Sequence, residues 1–155
     1  MIIYSDGSCS VNPGPGGYGL VVMNDDETKI LDSYMHQEIF TTNNIQELKA
    51  LIHSFAYAAS CPNSQVIIYS DSAYAINVFT QWAKNWEKAG WVKSDNQPIK
   101  NLELIKKGYE LFKQLNNCQI LKVKGHNNNI GNEMADALAS NNINKFNKYK
   151  LKLEG

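Results

Sequence analysis

Four acidic residues lie in four separate patches of this sequence, and each patch has the local character of a metal-ligand position. Asp6 and Asp71 each follow a short apolar run, whereas Glu47 and Asp136 lie in segments with helical periodicity. Gathering several carboxylates is unfavourable unless a cation neutralises them. Hard oxygen ligands in this number suit Mg²⁺ or Mn²⁺. The predicted chemistry is therefore metal-assisted hydrolysis, of the kind that a nuclease performs.

Each of these acids has a common alternative explanation when it is taken alone. An Asp at the end of a strand is more often a turn former or a cap, and Glu47 by itself would be a helix-surface acid. The four contexts together favour a shared site. If the first and fourth strands are parallel neighbours, Asp6 and Asp71 emerge at the same edge of the sheet. Glu133 lies one turn before Asp136 and faces the same way.

Length and composition predict one soluble domain. The chain has 155 residues, of which 43% are hydrophobic and 19% charged, as in ordinary globular proteins. No apolar run approaches the roughly 18 residues that a membrane span requires, and the N-terminus lacks the basic segment of a signal peptide. The three cysteines, Cys9, Cys61 and Cys118, share no metal-type spacing. We therefore predict free thiols and a cytoplasmic location.

Charge is distributed unevenly along the chain, although the net charge is +0. Residues 1–71 hold 2 lysines and 8 acids, a balance of −6, and residues 84–155 hold 13 lysines and 7 acids, a balance of +6. An acidic half beside a basic half fits a metal site on one surface and a polyanion on another. Solvated faces without a partner explain the charges equally well.

The hydrophobic pattern predicts nine elements in the order βββαβααβα, hence a single α/β domain with a mixed sheet covered by helices. Two early hairpins indicate an antiparallel start to the sheet. The predicted strands are 1–4, 18–23, 29–37, 65–69 and 119–123, and the predicted helices are 43–59, 72–86 (with a break allowed), 101–115 and 130–139.

Two motifs have competing explanations. Gly14–Gly19 matches the G-x-G-x-x-G pattern, but a strand follows it where a dinucleotide site needs a helix, so we predict a tight loop that exploits glycine's freedom in φ. The tryptophans Trp82, Trp86 and Trp91 are interleaved with lysines. They could pack in the core or contact a nucleic acid.

As a set, these motifs resemble the type 1 ribonuclease H family, in order over about residues 1–141. The resemblance is carried by the Ser5-Asp6-Gly7-Ser8 start, the Asn12–Gly19 loop, Thr41–Asn44 before Glu47, Tyr69–Ser72, the three-tryptophan segment, and Val123–His126 leading to Asn132–Asp136. It implies a ribonuclease H-like fold, a five-stranded mixed sheet flanked by helices. It also implies an endonuclease that cuts the RNA strand of an RNA–DNA hybrid, leaving 5′-phosphate and 3′-hydroxyl ends.

Family roles carry over onto the matching residues. Asp6, Glu47, Asp71 and Asp136 would hold two Mg²⁺ ions, with Mn²⁺ as a substitute, for an in-line displacement at phosphorus. His126 is similar to the family histidine that assists proton transfer or product release. Glu133 matches a family acid near the second metal. The positions that match family contacts with the hybrid, or that could grip its sugars and phosphates, are Asn12, Thr42, Asn43, Asn44, Ser72 and Trp82.

The sequence departs from the family pattern in its basic protrusion. Residues 82–100 hold four lysines against Glu87 and Asp95, a balance of +2. Ala73 and Ile45 also replace more polar family residues. These differences affect substrate contacts and spare the metal ligands. The Lys-rich tail, residues 142–155, either supplies compensating charge or forms a flexible end.

Three functions remain open from the sequence. The first is the hybrid nuclease, the second a non-catalytic hybrid-binding module, and the third a related DNA nuclease on the same fold. All four acids and His126 are present, which disfavours the second. The Asn12-Pro13-Gly14 loop and the Asn43–Asn44 pair disfavour the third. We further predict a monomer without an obligate protein partner.

Overall fold

The computed structural model describes residues 1–123 and 129–155, and these form an α/β domain around a five-stranded mixed sheet. The strand order is β3-β2-β1-β4-β5; β1, β2 and β3 are antiparallel, and β4 and β5 run parallel to β1. The predicted fold class is confirmed. The strands are β1 (Ile2–Cys9), β2 (Gly14–Met23), β3 (Ile30–Thr41), β4 (Val66–Ser70) and β5 (Cys118–Lys122).

The helices follow the predicted order. The predicted helix 72–86 is divided into three segments, and one further helix, α6, follows at the C-terminus. They are α1 (Asn43–Ser60), α2 (Ala73–Asn77), a π-helical segment (Val78–Trp82), α3 (Ala83–Lys88), α4 (Leu102–Phe112), α5 (Ile130–Ala139) and α6 (Ile143–Glu154). The break that the sequence allowed within 72–86 is the π-helical segment, which joins α2 to α3 without interrupting the helical path. No helix in the described part of the chain is long and apolar enough to cross a membrane.

The sheet separates two apolar cores. Ile3 packs with α1 and α4, whereas its neighbours Ile2 and Tyr4 pack with α5 and α6. The same alternation occurs in β2, because successive side chains of a strand point to opposite faces. Helices therefore cover both faces of the sheet, and its central strands are buried on both sides.

The glycine-rich segment is a strand rather than the predicted loop. Gly14 to Gly19 belong to β2, paired with both β1 and β3, which also removes any remaining case for a nucleotide cradle. Its glycines have negative φ, so conformational freedom is not their role. They permit close packing instead: a Cβ at Gly19 would lie 2.5 Å from the Leu138 Cβ of α5.

The Lys-rich segment at the C-terminus is helical from Ile143 to Glu154 rather than a flexible end. Helix α6 packs on α5 and buries Phe146, with Tyr149 and Leu153 against the same core. This spacing of i, i+3 and i+7 is an amphipathic stripe that the high lysine content obscured in the sequence.

Thr42 has a structural role that can be separated from substrate binding. It is the N-cap of α1, and its hydroxyl accepts a hydrogen bond from the Ile45 backbone N–H at 3.2 Å. We expect Thr42→Ala to lower the free energy of unfolding by about 1 kcal/mol, because an uncapped donor remains at the helix start. Thr42→Ser should keep the wild-type value in urea denaturation. Equal destabilisation by both substitutions would contradict the capping role.

Candidate active site

Parallel pairing of β1 with β4 brings the first two carboxylates together. The pairing begins at Ile2 with Ile67 and ends at Ser5 with Ser70, and Asp6 and Asp71 come next on their strands. Asp71 follows β4 as predicted. Asp6, in contrast, lies inside β1, because β1 continues to pair with β2 as far as Cys9. Asp6 therefore marks the end of the parallel pairing rather than the end of its strand.

Helix α1 brings Glu47 to the same edge, because it lies unusually close to β1. A Cβ at Gly7 would lie 2.4 Å from the Glu47 backbone nitrogen and 2.5 Å from the Gln46 carbonyl carbon. Only glycine permits this approach of helix backbone to strand. Glu47 lies one turn into α1, and the Gly7 backbone N–H partly offsets the rise in the pKa of its carboxyl group.

Asp6, Glu47 and Asp71 form a set of carboxylates suited to a hard cation. One oxygen from each lies within 4.8 Å of the others. Asp6 is only 5% exposed, and the buried Oε2 of Glu47 has no hydrogen-bond partner among the described residues. Buried polar atoms normally have a partner. An unsatisfied carboxylate oxygen on a residue grouped with two further carboxylates therefore fits Mg²⁺ or Mn²⁺ in this position.

The electrostatics of the set lead to the same conclusion. Burial, followed by the charges of Glu47, Asp71 and Asp136, raises the pKa of Asp6 to about 10. Burial and the charge of Asp71 likewise raise the pKa of Glu47 to about 8. Both carboxylates therefore resist ionisation near neutral pH without a cation, and a bound dication would favour their charged forms.

Asp136 approaches this set from α5, on the other core's side of the sheet. Gly131 allows α5 to lie against β1, since a Cβ there would lie 2.2 Å from the Tyr4 ring. The charge of Asp136 contributes to raising the pKa of Asp6. Among the described residues, Asp136 is nevertheless not part of the group formed by Asp6, Glu47 and Asp71, whose oxygens lie within 4.8 Å of one another. Its Oδ2 lies 3.3 Å from Lys145 Nζ, an ion pair that the sequence patterns did not indicate.

The predicted site residues fall into three groups by their place in the structure. Asp6, Glu47 and Asp71 converge, and Asp136 lies outside their mutually close set. His126 lies outside the described residues. Five of the six predicted substrate residues lie in or at the start of helical segments, and Asn12 lies between β1 and β2. Among them, Asn12 accepts a hydrogen bond from the Asn43 backbone N–H at 3.0 Å, and Ser72 caps α2 through the Ala75 N–H at 3.1 Å.

A groove beside α1 contains the remaining two substrate positions. Asn44 and Trp82 line a cavity of about 430 Å³ together with Tyr74, Trp86, Lys93, Gln97, Pro98, Ile99 and Lys100. Trp82 is 37% exposed and lies 6.1 Å from the Tyr74 ring, measured between centroids. Tyr74 was not singled out from the sequence, although its place two residues after Ser72 puts it on the same helix.

The structure separates the two explanations for the tryptophans. Trp91 packs beside Tyr109 against the main core, with ring centroids 6.2 Å apart. Trp86 is partly buried against that core and also lines the groove. Trp82 is the most exposed of the three and faces the groove. One tryptophan is thus core packing, one is available for contact, and Trp86 contributes to both.

Comparison with known proteins relates the chain to one family and one fold. The RNase H family model matches residues 1–144. A ribonuclease H of Alcanivorax borkumensis is 40% identical over 150 residues, covering 97% of this chain and 95% of that protein. One of Thermoanaerobacter sp. (strain X514) is 42% identical over 147 residues, covering 92% and 89%.

Among solved structures, the PFV RNase H domain superposes with a TM-score of 0.78 at 24% identity, covering 91% of this chain and 92% of that domain. This likeness supports the fold alone. A mixed five-stranded sheet with carboxylates gathered at one edge defines a class of metal-dependent nucleases. The chain belongs to the RNase H family, and it is an enzyme of the nuclease class.

Proposed function

We propose that this protein is an endoribonuclease that hydrolyses the RNA strand of RNA–DNA hybrids and leaves 5′-phosphate and 3′-hydroxyl ends. The observation that carries the proposal is the convergence of Asp6, Glu47 and Asp71, with an unsatisfied Glu47 oxygen, in a chain of this family. We assign catalysis to residues 1–141.

Asp6, Glu47, Asp71 and Asp136 would hold two Mg²⁺ ions, for which Mn²⁺ could substitute. When bound, such ions activate a water nucleophile and stabilise a leaving oxygen at phosphorus. The chain supplies the geometry for this: β1, β4 and α1 are packed elements, so their carboxylates are held in place before substrate arrives. We assign His126 to proton transfer or product release.

The six predicted substrate residues would recognise the hybrid. A protein distinguishes RNA by its 2′-hydroxyls and by the shape of the minor groove. Asn12 accepts a hydrogen bond from the Asn43 backbone N–H, which leaves the side-chain NH₂ of Asn12 and the side-chain amide of Asn43 available for sugar and base edges. Thr42, Asn44 and Ser72 lie at or beside helix N-termini, where backbone N–H groups favour phosphate.

The groove offers a test that separates stacking from charge. We expect Trp82→Ala to weaken hybrid binding by about 1–3 kcal/mol with an unchanged salt dependence, because it removes a stacking surface. Lys93→Ala should instead reduce the slope of log K against log salt by about 0.9, because it removes one phosphate contact. Binding titrations at several salt concentrations provide both values. A change of slope in Trp82→Ala would contradict this division of roles.

The low charge of the segment 82–100 leads to a further expectation about salt. With a balance of +2, fewer phosphates can be contacted. We expect weaker hybrid binding and a shallower salt dependence than in a relative with a strongly basic protrusion. Helix α6 carries lysines, but one of them is paired with acids. An equally steep slope in the two proteins would show that charge elsewhere compensates.

Cleavage of an RNA–DNA hybrid with labelled RNA tests the function directly. RNA-strand cutting that requires Mg²⁺ and stops with EDTA supports the proposal. Binding without cutting in Mg²⁺ or Mn²⁺ would favour the hybrid-binding module. Preferential cutting of duplex DNA would favour the DNA nuclease. The duplex DNA has the same sequence as the hybrid, and single-stranded RNA is the control for contaminating ribonuclease.

We also propose a monomeric enzyme of the cytoplasm. Its three cysteines are free, which suits a reducing compartment. Its two apolar cores are closed by its own helices. Sedimentation of the purified protein tests the monomer, and fractionation of cells tests the location.

A further inference from the structure

Lys145 lies in the first turn of the C-terminal helix α6, and its side chain contacts Asp136 of the candidate metal site. Its Nζ lies 3.3 Å from Glu133 Oε2 and 3.3 Å from Asp136 Oδ2. The two acids are spaced i, i+3 on α5, so they present their carboxylates side by side. One ammonium group therefore bridges two carboxylates, of which Asp136 belongs to the catalytic set.

The backbone around Lys145 is anchored on both sides. Asn142 caps α6 by accepting a hydrogen bond from the Lys145 backbone N–H at 3.0 Å. The next residue, Phe146, is buried in the core beneath α5. Only the side chain of Lys145 is free to move, and it is 35% exposed. The Lys145 backbone is therefore positioned by the fold, and the ion pair forms from an ordered helix.

The charge of Lys145 acts on the catalytic set through Asp136. The charge of Asp136 adds to the negative charge around both Asp6 and Glu47. Of the ion pairs formed within residues 1–123 and 129–155, the one between Lys145 and Asp136 is the one that includes a member of this set. A cation at this distance repels a second cation and competes for the same carboxylate oxygen.

We propose that Lys145 is a positioning residue whose ammonium group is the internal counter-ion of Asp136. The ion pair between them must break when Asp136 binds Mg²⁺. Lys145 thereby raises the Mg²⁺ concentration that the site requires, and it offsets carboxylate repulsion when the metal is absent. The inference rests on the proposed function, because it takes Asp136 as a metal ligand.

The test is calorimetric titration of Mg²⁺ into metal-stripped full-length protein, with melting temperatures measured in EDTA. Lys145→Met is expected to bind Mg²⁺ about three- to ten-fold more tightly than wild type, because a competing charge is removed. It should also melt at a lower temperature in EDTA, where the repulsion is uncompensated. Lys145→Arg should restore both wild-type values, because it keeps the charge.

Lys148→Met is the matched control, because Lys148 is exposed on the same helix. Equal Mg²⁺ affinities for Lys145→Met and Lys148→Met would overturn the inference. So would a loss of affinity for hybrid in EDTA by Lys145→Met with unchanged Mg²⁺ affinity, since that result assigns Lys145 to the substrate. If wild type itself bound no Mg²⁺, the proposed function would fail first, independently of Lys145.

Discussion

Replacing Asp71 by Asn is expected to abolish Mg²⁺-dependent cleavage of the RNA strand. The amide keeps the size of the side chain but removes one of three carboxylates whose oxygens lie within 4.8 Å of one another. Metal-bound charge at a reacting phosphate supplies several kcal/mol of transition-state stabilisation. We therefore expect the cleavage rate to fall by about 10³-fold or more, which corresponds to about 4 kcal/mol.

Three measurements distinguish this loss from misfolding or failed binding. Asp71 is exposed, so the variant should unfold at or above the wild-type urea concentration, since one repelling charge is gone. Hybrid binding in EDTA should persist. Asp26→Asn, an exposed acid in the turn between β2 and β3, is the matched control and should cleave at the wild-type rate. An Asp71→Asn variant that retained a tenth of wild-type activity would remove Asp71 from the metal site.

Substituting Gly7 by Ala should damage stability and the metal site together. The added Cβ would lie 2.4 Å from the Glu47 backbone nitrogen and 2.5 Å from the Gln46 carbonyl carbon. Both atoms belong to the backbone, so neither can move aside as a flexible side chain could. Helix α1 must then move away from β1, which should lower the free energy of unfolding by about 1–3 kcal/mol. The same movement separates Glu47 from Asp6, so Mg²⁺ affinity should fall by at least about ten-fold, since small displacements of ligands are costly.

Gly90→Ala separates steric contact from conformational preference. Gly90 has φ of 78° and nothing within 4 Å of its built Cβ. We expect it to destabilise the protein by about 1 kcal/mol through strain in the left-handed region, with unchanged Mg²⁺ affinity. If Gly7→Ala also left Mg²⁺ affinity unchanged, the close approach of α1 to β1 would not be what positions Glu47.

Much of the fold could be predicted because its signals are local. The apolar spacing in α1 and the β-branched run of β4 each determine an element by periodicity alone. Boundaries were predicted less well where pairing extends a strand beyond its apolar run. Strand β1 continues through Ser5-Asp6-Gly7-Ser8 because β2 supplies partners for its backbone, and no residue in that polar segment signals this.

Helix α6 shows the limit of composition as a guide. Its lysines suggested a flexible end, yet three apolar residues on one face bind it to α5. An apolar stripe of this kind stabilises a helix only when a complementary apolar surface packs against it. Lys145 lies beside Asp136 because α6 packs against α5. This contact could not be predicted from the sequence, since the two residues are nine positions apart and the packing of α6 was not known.

The sequence by itself determined which residues are available for chemistry: the four carboxylates, their attachment to particular strands and helices, and the resemblance that relates them to one family. Tertiary structure alone decided how those residues meet. Parallel pairing of β1 with β4 aligns Asp6 with Asp71, and the missing side chain of Gly7 admits Glu47. Burial then raises the pKa of both Asp6 and Glu47. Distances and desolvation depend on contacts between distant parts of the chain, and local sequence cannot encode these one residue at a time.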